Sequence, residues 1–275
     1  MLNHLQIEAE TLYCLGDIHG EYGGIGGWLK RYDLQNACLV FCGDIGLGFN
    51  SEAYYQQVFS KLNRECKKRN VTLIFLRGNH DDPSYFAEQK IHLSHIHAVP
   101  DYTLLSVAGH EVLCVGGAVS IDRMLRQAKM LQLAVNYACY HRCSITEARE
   151  NAPKGYWAYE MPIYDAGMLD EIRDSGVKID VVCTHTAPSF AEPHTKEGIA
   201  EWLKQDEHLA EDIQIERETL DQLWERLKAD RHPLKTWCYG HYHYHHAEVH
   251  EGVIFRLLDM CRHNCIYDMV EVRFT

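Results

Sequence analysis

"TLYCLGDIHG" (Thr11–Gly20) is a short apolar run that stops at a glycine, an aspartate and a histidine. A brief apolar run bounded by such punctuation reads as a buried strand meeting a loop. The same form recurs. "ACLVFC" (Ala37–Cys42) runs into "GDIG", and "VTLIFL" (Val71–Leu76) into "RGNHDD". "DVVCT" (Asp180–Thr184) runs into "HTAP", and "TWCY" (Thr236–Tyr239) into "GHYH". Helix-like segments lie between the early strands, about Gly24–Tyr32 and Ser51–Arg69. This alternation predicts an α/β layered fold. Tyr102–Ala118 reads as a hairpin, and Ala247–Met260 as another that turns at Glu251–Gly252. The closing "MVEVRF" reads as an edge strand. We expect one domain over residues 1–275, with helical insertions at about 121–151 and 195–230. The charges of the second insertion suit a solvated face, or a lid over a site.

Each of the five strands named above ends in a possible metal ligand. Asp17 and His19 follow the first, Asp44 the second, and Asn79 and His80 the third. His185 follows a later strand, and His241 and His243 the next. Sites in open α/β sheets form at the carboxyl ends of strands, so residues far apart in the chain would meet at one edge. Asp17 and His19 would point the same way from an extended tip, as would His241 and His243. The glycines at 16, 20, 43, 46, 78 and 240 suit sharp turns and close backbone approach. Carboxylate, imidazole and carboxamide together suit Mn²⁺, Fe or Zn²⁺ better than Ca²⁺.

As an ordered set, "GDIHG", "GDIG", "GNHDD", "THTAP" and "GHYH" resemble the motifs of the calcineurin-like metallophosphoesterases. The resemblance implies a four-layer α/β/β/α fold: a central β-sandwich flanked by helices, with a dinuclear metal centre at one sheet edge. It implies two divalent cations. Asp17, His19 and His243 would hold one, Asn79, His185 and His241 the other, and Asp44 would bridge them. The implied activity is hydrolysis of a phosphomonoester of a small molecule or phosphopeptide by a metal-bridging hydroxide. The alternatives are a phosphodiesterase for cyclic or linear nucleotides, and a noncatalytic metal-binding scaffold.

His80, beside Asn79, is the candidate to protonate or stabilise the leaving oxygen. "LRGNH" resembles the phosphoprotein phosphatase branch, in which the arginine clamps phosphate; that makes Arg77 a candidate, against a structural salt bridge. The aspartate by which that branch orients its catalytic histidine is absent, since Leu47 stands there. Asp81 or Asp82 would then have to orient His80. "GGAVSIDR" (Gly116–Arg123) resembles a segment of uncharacterised bacterial and phage members. Arg123 or Arg126 could add a phosphate contact there, or lie on an ordinary helix surface. His246 and His250 read as strand or surface residues.

Bulk properties limit the partners. Apolar residues make up 46% and charged residues 24%, as in soluble globular proteins, and the net charge is −12. That balance excludes a strongly basic nucleic-acid or anionic-membrane binder, so no nucleic acid or membrane partner is expected. No signal pattern opens the chain, and no uncharged apolar run approaches ~20 residues. Eleven cysteines without a Cys-x-x-Cys predict buried free thiols in a cytoplasmic setting. A zinc site joining Cys139/Cys143 to Cys261/Cys265 is the less simple reading.

Overall fold

Side-chain alternation along the strands sorts the core into layers. The computed structural model describes residues 2–152, 154–191, 199–261 and 269–273. Its strands are β1 (His4–Ile7), β2 (Thr11–Leu15), β3 (Ala37–Phe41), β4 (Val71–Phe75), β5 (Ile96–Ala98), β6 (Thr103–Val107), β7 (His110–Val115), β8 (Val181–Thr184), β9 (Thr236–Tyr239), β10 (His246–His250), β11 (Val253–Leu257) and β12 (Met269–Val272). Its helices are α1 (Tyr22–Arg31), α2 (Glu52–Arg69), α3 (Ser84–Ala87), α4 (Arg123–His141), α5 (Ile145–Asn151), α6 (Ala166–Ser175), α7 (Ile199–Leu203) and α8 (Leu209–Ala229).

The strands form a five-stranded sheet in the order β12-β2-β3-β4-β5, and a seven-stranded sheet in the order β1-β6-β7-β8-β9-β11-β10. Strands β2, β3, β4 and β5 are parallel, as are β7, β8 and β9. Carboxyl ends therefore gather on one side of each sheet. Residues of β2, β3 and β4 at one parity (Leu12, Cys14, Cys38, Val40, Ile74) pack against Val112, Cys114, Val181, Cys183 and Cys238 of the other sheet. The opposite parity (Leu15, Leu39, Phe41, Leu73, Phe75) packs against Trp28 and Leu29 of α1 and Phe59 and Leu62 of α2. On the far side, Leu113, Val182, Trp237 and Phe255 pack against Leu169 and Ile172 of α6 and Leu220, Trp224 and Leu227 of α8. Period-2 burial on both faces thus produces the α/β/β/α order.

The layer between the sheets holds six of the cysteines among aliphatic residues, while Phe41, Phe75, Trp237 and Phe255 lie on the outer faces. All ten described cysteines are free and eight are buried, with Cys14 Sγ 3.6 Å from Cys183 Sγ between the sheets. Cys139 is exposed and Cys143 half-buried, while Cys265 lies outside the described residues. Among the described residues no helix is long and apolar enough to cross a membrane.

Both expected hairpins form, pairing β6 with β7 and β10 with β11. The second turns through Glu251 and Gly252, both at positive φ. Strand β12 lies at the sheet edge beside β2. Strands β1 and β5, too short to stand out in the sequence, extend the sheets at their edges. The first helical insertion is two helices, broken where Arg142 turns left-handed and Ser144 caps α5 by accepting from the Glu147 N–H. Of the second, residues 195–198 lie outside the described residues. Its helix α8 is an outer layer of the fold rather than a free lid, because its apolar stripe packs against the seven-stranded sheet.

Asp81 corrects an expectation. Its carboxylate does not reach His80. It is fully buried and accepts the backbone N–H groups of Gly78, Ile45, Gly46 and Leu47 at 2.7–3.0 Å. The loop after β4 is thereby tied to the loop after β3. Removing the carboxylate leaves those buried donors unpaired. Asp81→Ala is expected to cost about 3 kcal/mol in stability, read as a lower urea midpoint at unchanged slope.

Candidate metal centre

The strand-end loops of both sheets are bound to one another by main-chain hydrogen bonds. Ile18 and His19 donate their N–H groups to the Asp44 carbonyl, and Gly20 to Ile45. Gly240 donates to the His185 carbonyl, and Cys261 to Asp17. Two glycines are required by close approach. A Cβ on Gly78 would lie 2.1 Å from Asp44 Oδ1, and one on Gly240 would lie 2.2 Å from Asp17 Oδ1. Each glycine therefore makes room for a carboxylate from a different strand end.

The tips are not extended, as the sequence reading supposed. His19, Asp44, His241 and His243 all have left-handed backbone, with φ of 43°, 48°, 74° and 57°. That conformation is uncommon for non-glycine residues, and its clustering at one place marks a functional site.

All seven expected ligand residues converge there. His243 Nε2 lies 2.9 Å from Asp17 Oδ2 and 3.0 Å from His19 Nε2, and His19 Nε2 lies 3.8 Å from Asp44 Oδ2. Ligand atoms of Asp17, His19, Asp44 and His243 all fall within 4.8 Å of one another. On the other side, His185 Nε2 lies 3.3 Å from Asp44 Oδ1 and 3.0 Å from Asn79 Oδ1. His241 Nδ1 lies 3.1 Å from that same amide oxygen. The two oxygens of Asp44 face different donor sets, which is the arrangement a bridging carboxylate needs.

These groups fit cations. Asp17 and Asp44 are buried, and the nitrogens nearest Asp17 Oδ2 are those of His243 and His19, at 2.9 and 3.7 Å. Burial pushes both carboxyls up, but His185 and its neighbours hold them below the usual range. Burial pushes His185 down, yet Asp44 and Asp17 pull it up to about 10. The pocket therefore calls for positive charge. The Cys42 carbonyl accepts from His185 Nδ1 at 2.7 Å, so Nε2 is the nitrogen that would give up its proton to a cation.

Asn79 is oriented by residues that the motifs did not identify. Its Nδ2 donates to Ser120 Oγ at 2.9 Å, so its Oδ1 turns toward the histidines. Ser120 donates through its hydroxyl and its N–H to the two oxygens of buried Glu160, at 2.6 and 2.7 Å. Burial pushes the Glu160 carboxyl up to about 7, against the pull of the Ser120 hydrogen bonds. Ser120 lies in "GGAVSIDR"; no sequence signal marks Glu160.

The structure places the remaining candidates as follows. The His80 N–H donates to Asp44 Oδ1 at 2.7 Å, and its Nε2 lies 3.9 Å from Asp44 Oδ2. Burial pushes its imidazole down to about 4, with Asp44 working against this and Arg126 with it. Its ring is held by Arg126, whose Nη2 meets Nε2 and whose Nε donates to Asp122 at 2.6 Å. The Asp82 carboxylate instead accepts from the Ser84 N–H.

Arg77 is a correction. It is 5% exposed, and it donates to Asp101 and to the carbonyls of Tyr159, Glu160 and Met161. With its donors engaged it is a structural pair, not a phosphate clamp. Arg123 is likewise withdrawn, held between Asp206 and Asp212. His250 stacks on Phe190 and His246 is an exposed strand residue, both away from the ligand cluster.

Comparison with known proteins gives one sequence family. The calcineurin-like phosphoesterases match residues 11–245. No curated protein matches the chain. Among solved structures, the chain is similar to a dimetal phosphatase from Danio rerio, at 12% identity over 92% of this chain and 88% of that one, TM-score 0.47. It is also similar to the phosphopantetheinyl hydrolase from Mycobacterium tuberculosis, at 15% identity over 92% and 91%, TM-score 0.38.

The Ser120 relay has a measurable consequence. Ser120→Ala frees the Asn79 amide to rotate and should weaken Mn²⁺ binding about 10-fold, as read by titration calorimetry. Unchanged affinity would show that Asn79 needs no such support.

Proposed function

The chain belongs to the calcineurin-like phosphoesterase family and is a hydrolase of phosphate esters, and on that footing we propose that its substrates are phosphomonoesters of small molecules. The observation that carries this reading is the cavity over the ligand cluster. It measures about 660 Å³ and its lining includes Ile121, Asp122 and Arg126 from the first insertion and Ile199, Trp202 and Ile213 from the second. That volume suits a small ligand rather than a protein surface.

The donor set supports two divalent cations of the Mn, Fe or Zn kind. When bound, they supply a nucleophile from water at neutral pH and neutralise phosphoryl oxygens. The protein's own residues do the rest. Asp44, with Asp17, Asn79 and the four imidazoles, would hold those cations. As the P–O bond breaks, the leaving oxygen must gain a proton to depart as an alcohol. His80 lines the cavity and is not one of the expected ligands; burial keeps its ring neutral at pH 7, so its role is to hydrogen-bond that oxygen, which takes its proton from water. The net charge of −12 supports a small phosphorylated partner over nucleic acid, and the free thiols support a cytoplasmic setting.

Turnover of p-nitrophenyl phosphate and of its bis ester, with Mn²⁺, tests the reading. The monoester should be hydrolysed with the higher kcat/KM. His80→Ala should lower kcat roughly 100-fold with metal content unchanged. A metal-loaded protein that turns over neither ester would be a binding scaffold instead.

A further inference from the structure

Four arginines lie at or near this site, and their pairing separates them. Arg217 lines the cavity but is buried and donates to Thr186 Oγ1 at 2.7 Å and to the Ala187 carbonyl at 3.0 Å. Arg77 and Arg123 are occupied, as described above. Arg126 is held by one carboxylate at Nε, from Asp122, while its Nη2 end meets the ring of His80. Its side chain is 14% exposed. It lines both the cavity over the ligands and a second cavity of about 410 Å³ that adjoins at His80 and also holds Lys129 and Lys154. The guanidinium is therefore anchored at Nε by Asp122 and carries its Nη2 end to His80 in the wall of the cavity.

We propose that Arg126 is the substrate-phosphate clamp of this protein and the residue that makes it select monoesters over diesters. The proposal rests on the monoesterase reading. A monoester phosphate carries close to two negative charges and three terminal oxygens. A diester has one charge and one terminal oxygen fewer. The buried carboxylates would hold the two cations, and Arg126 lines the same cavity beside His80. A planar fork there can hold a terminal oxygen of a monoester by charge-assisted hydrogen bonds. In a diester that position is taken by an alkyl or aryl group, which gives the guanidinium no anion to bind. Asp122 fixes the arginine so that little freedom is lost on binding.

Two measurements on the Mn²⁺-loaded protein decide the matter. The first is binding of inorganic phosphate by calorimetry. Arg126→Ala should weaken it roughly 10- to 100-fold, with Arg126→Lys recovering part through charge without the fork. Unchanged phosphate affinity in Arg126→Ala, with both metals bound, would overturn the assignment. The second is the ratio of kcat/KM for p-nitrophenyl phosphate over bis(p-nitrophenyl) phosphate. It should fall about tenfold or more in Arg126→Ala. Equal losses on both esters would overturn the selectivity role. A wild-type preference for the diester would sink the monoesterase reading, and the phosphate-binding result would still decide Arg126.

Discussion

Two buried carboxylates, Asp17 and Asp44, set the terms for the rest of the molecule. Like charges at zero solvent exposure are costly unless positive charge or donors surround them. Four imidazoles and an amide oxygen converge on them from four strand ends. The loops bring those groups in by adopting left-handed backbone at four ligand residues and by placing glycine where a side chain would strike a carboxylate. These are local conflicts with ordinary backbone preference, and they are settled in favour of the site.

The layers of the fold supply the rigidity that such a cluster needs. The two sheets share one apolar layer, and parallel pairing puts the candidate ligand-bearing ends on one side of each. Asp81 and Arg77 belong to this framework. Both are charged residues inside motifs that carry ligands, yet one binds four backbone donors and the other joins Asp101 to the segment around Glu160. Motif membership placed them near the site. The direction of each side chain then gave it a structural task. The carboxylate expected to orient His80 is replaced by an arginine held by Asp122, a link that passes through the helical insertion.

The helical regions differ in kind. Helix α8 completes the outer layer through its apolar stripe, while Glu216 and Arg217 of its first half face the cavity. Helix α4 buries only Ala134 along its length and carries Arg126 to the mouth of the site. The same cavity is therefore walled by a part of the fold itself and by an addition to it.

The order of strands, the ligand types and their placement at strand ends were legible in the sequence. Apolar runs and the residues that punctuate them are local properties, and period-2 alternation carries through to burial. The ligand set could be named because each member directly follows a strand. What only the tertiary structure decided was the direction and partnership of side chains. Arg77, Arg123 and Arg126 are alike as sequence. Their difference lies in carboxylates and carbonyls contributed from residues 101, 122, 159–161, 206 and 212. The Asn79–Ser120–Glu160 chain is of the same kind, since hydrogen bonds between segments remote in sequence leave no periodic trace. Backbone periodicity is written along the chain; which buried charge meets which partner is settled only when the layers close.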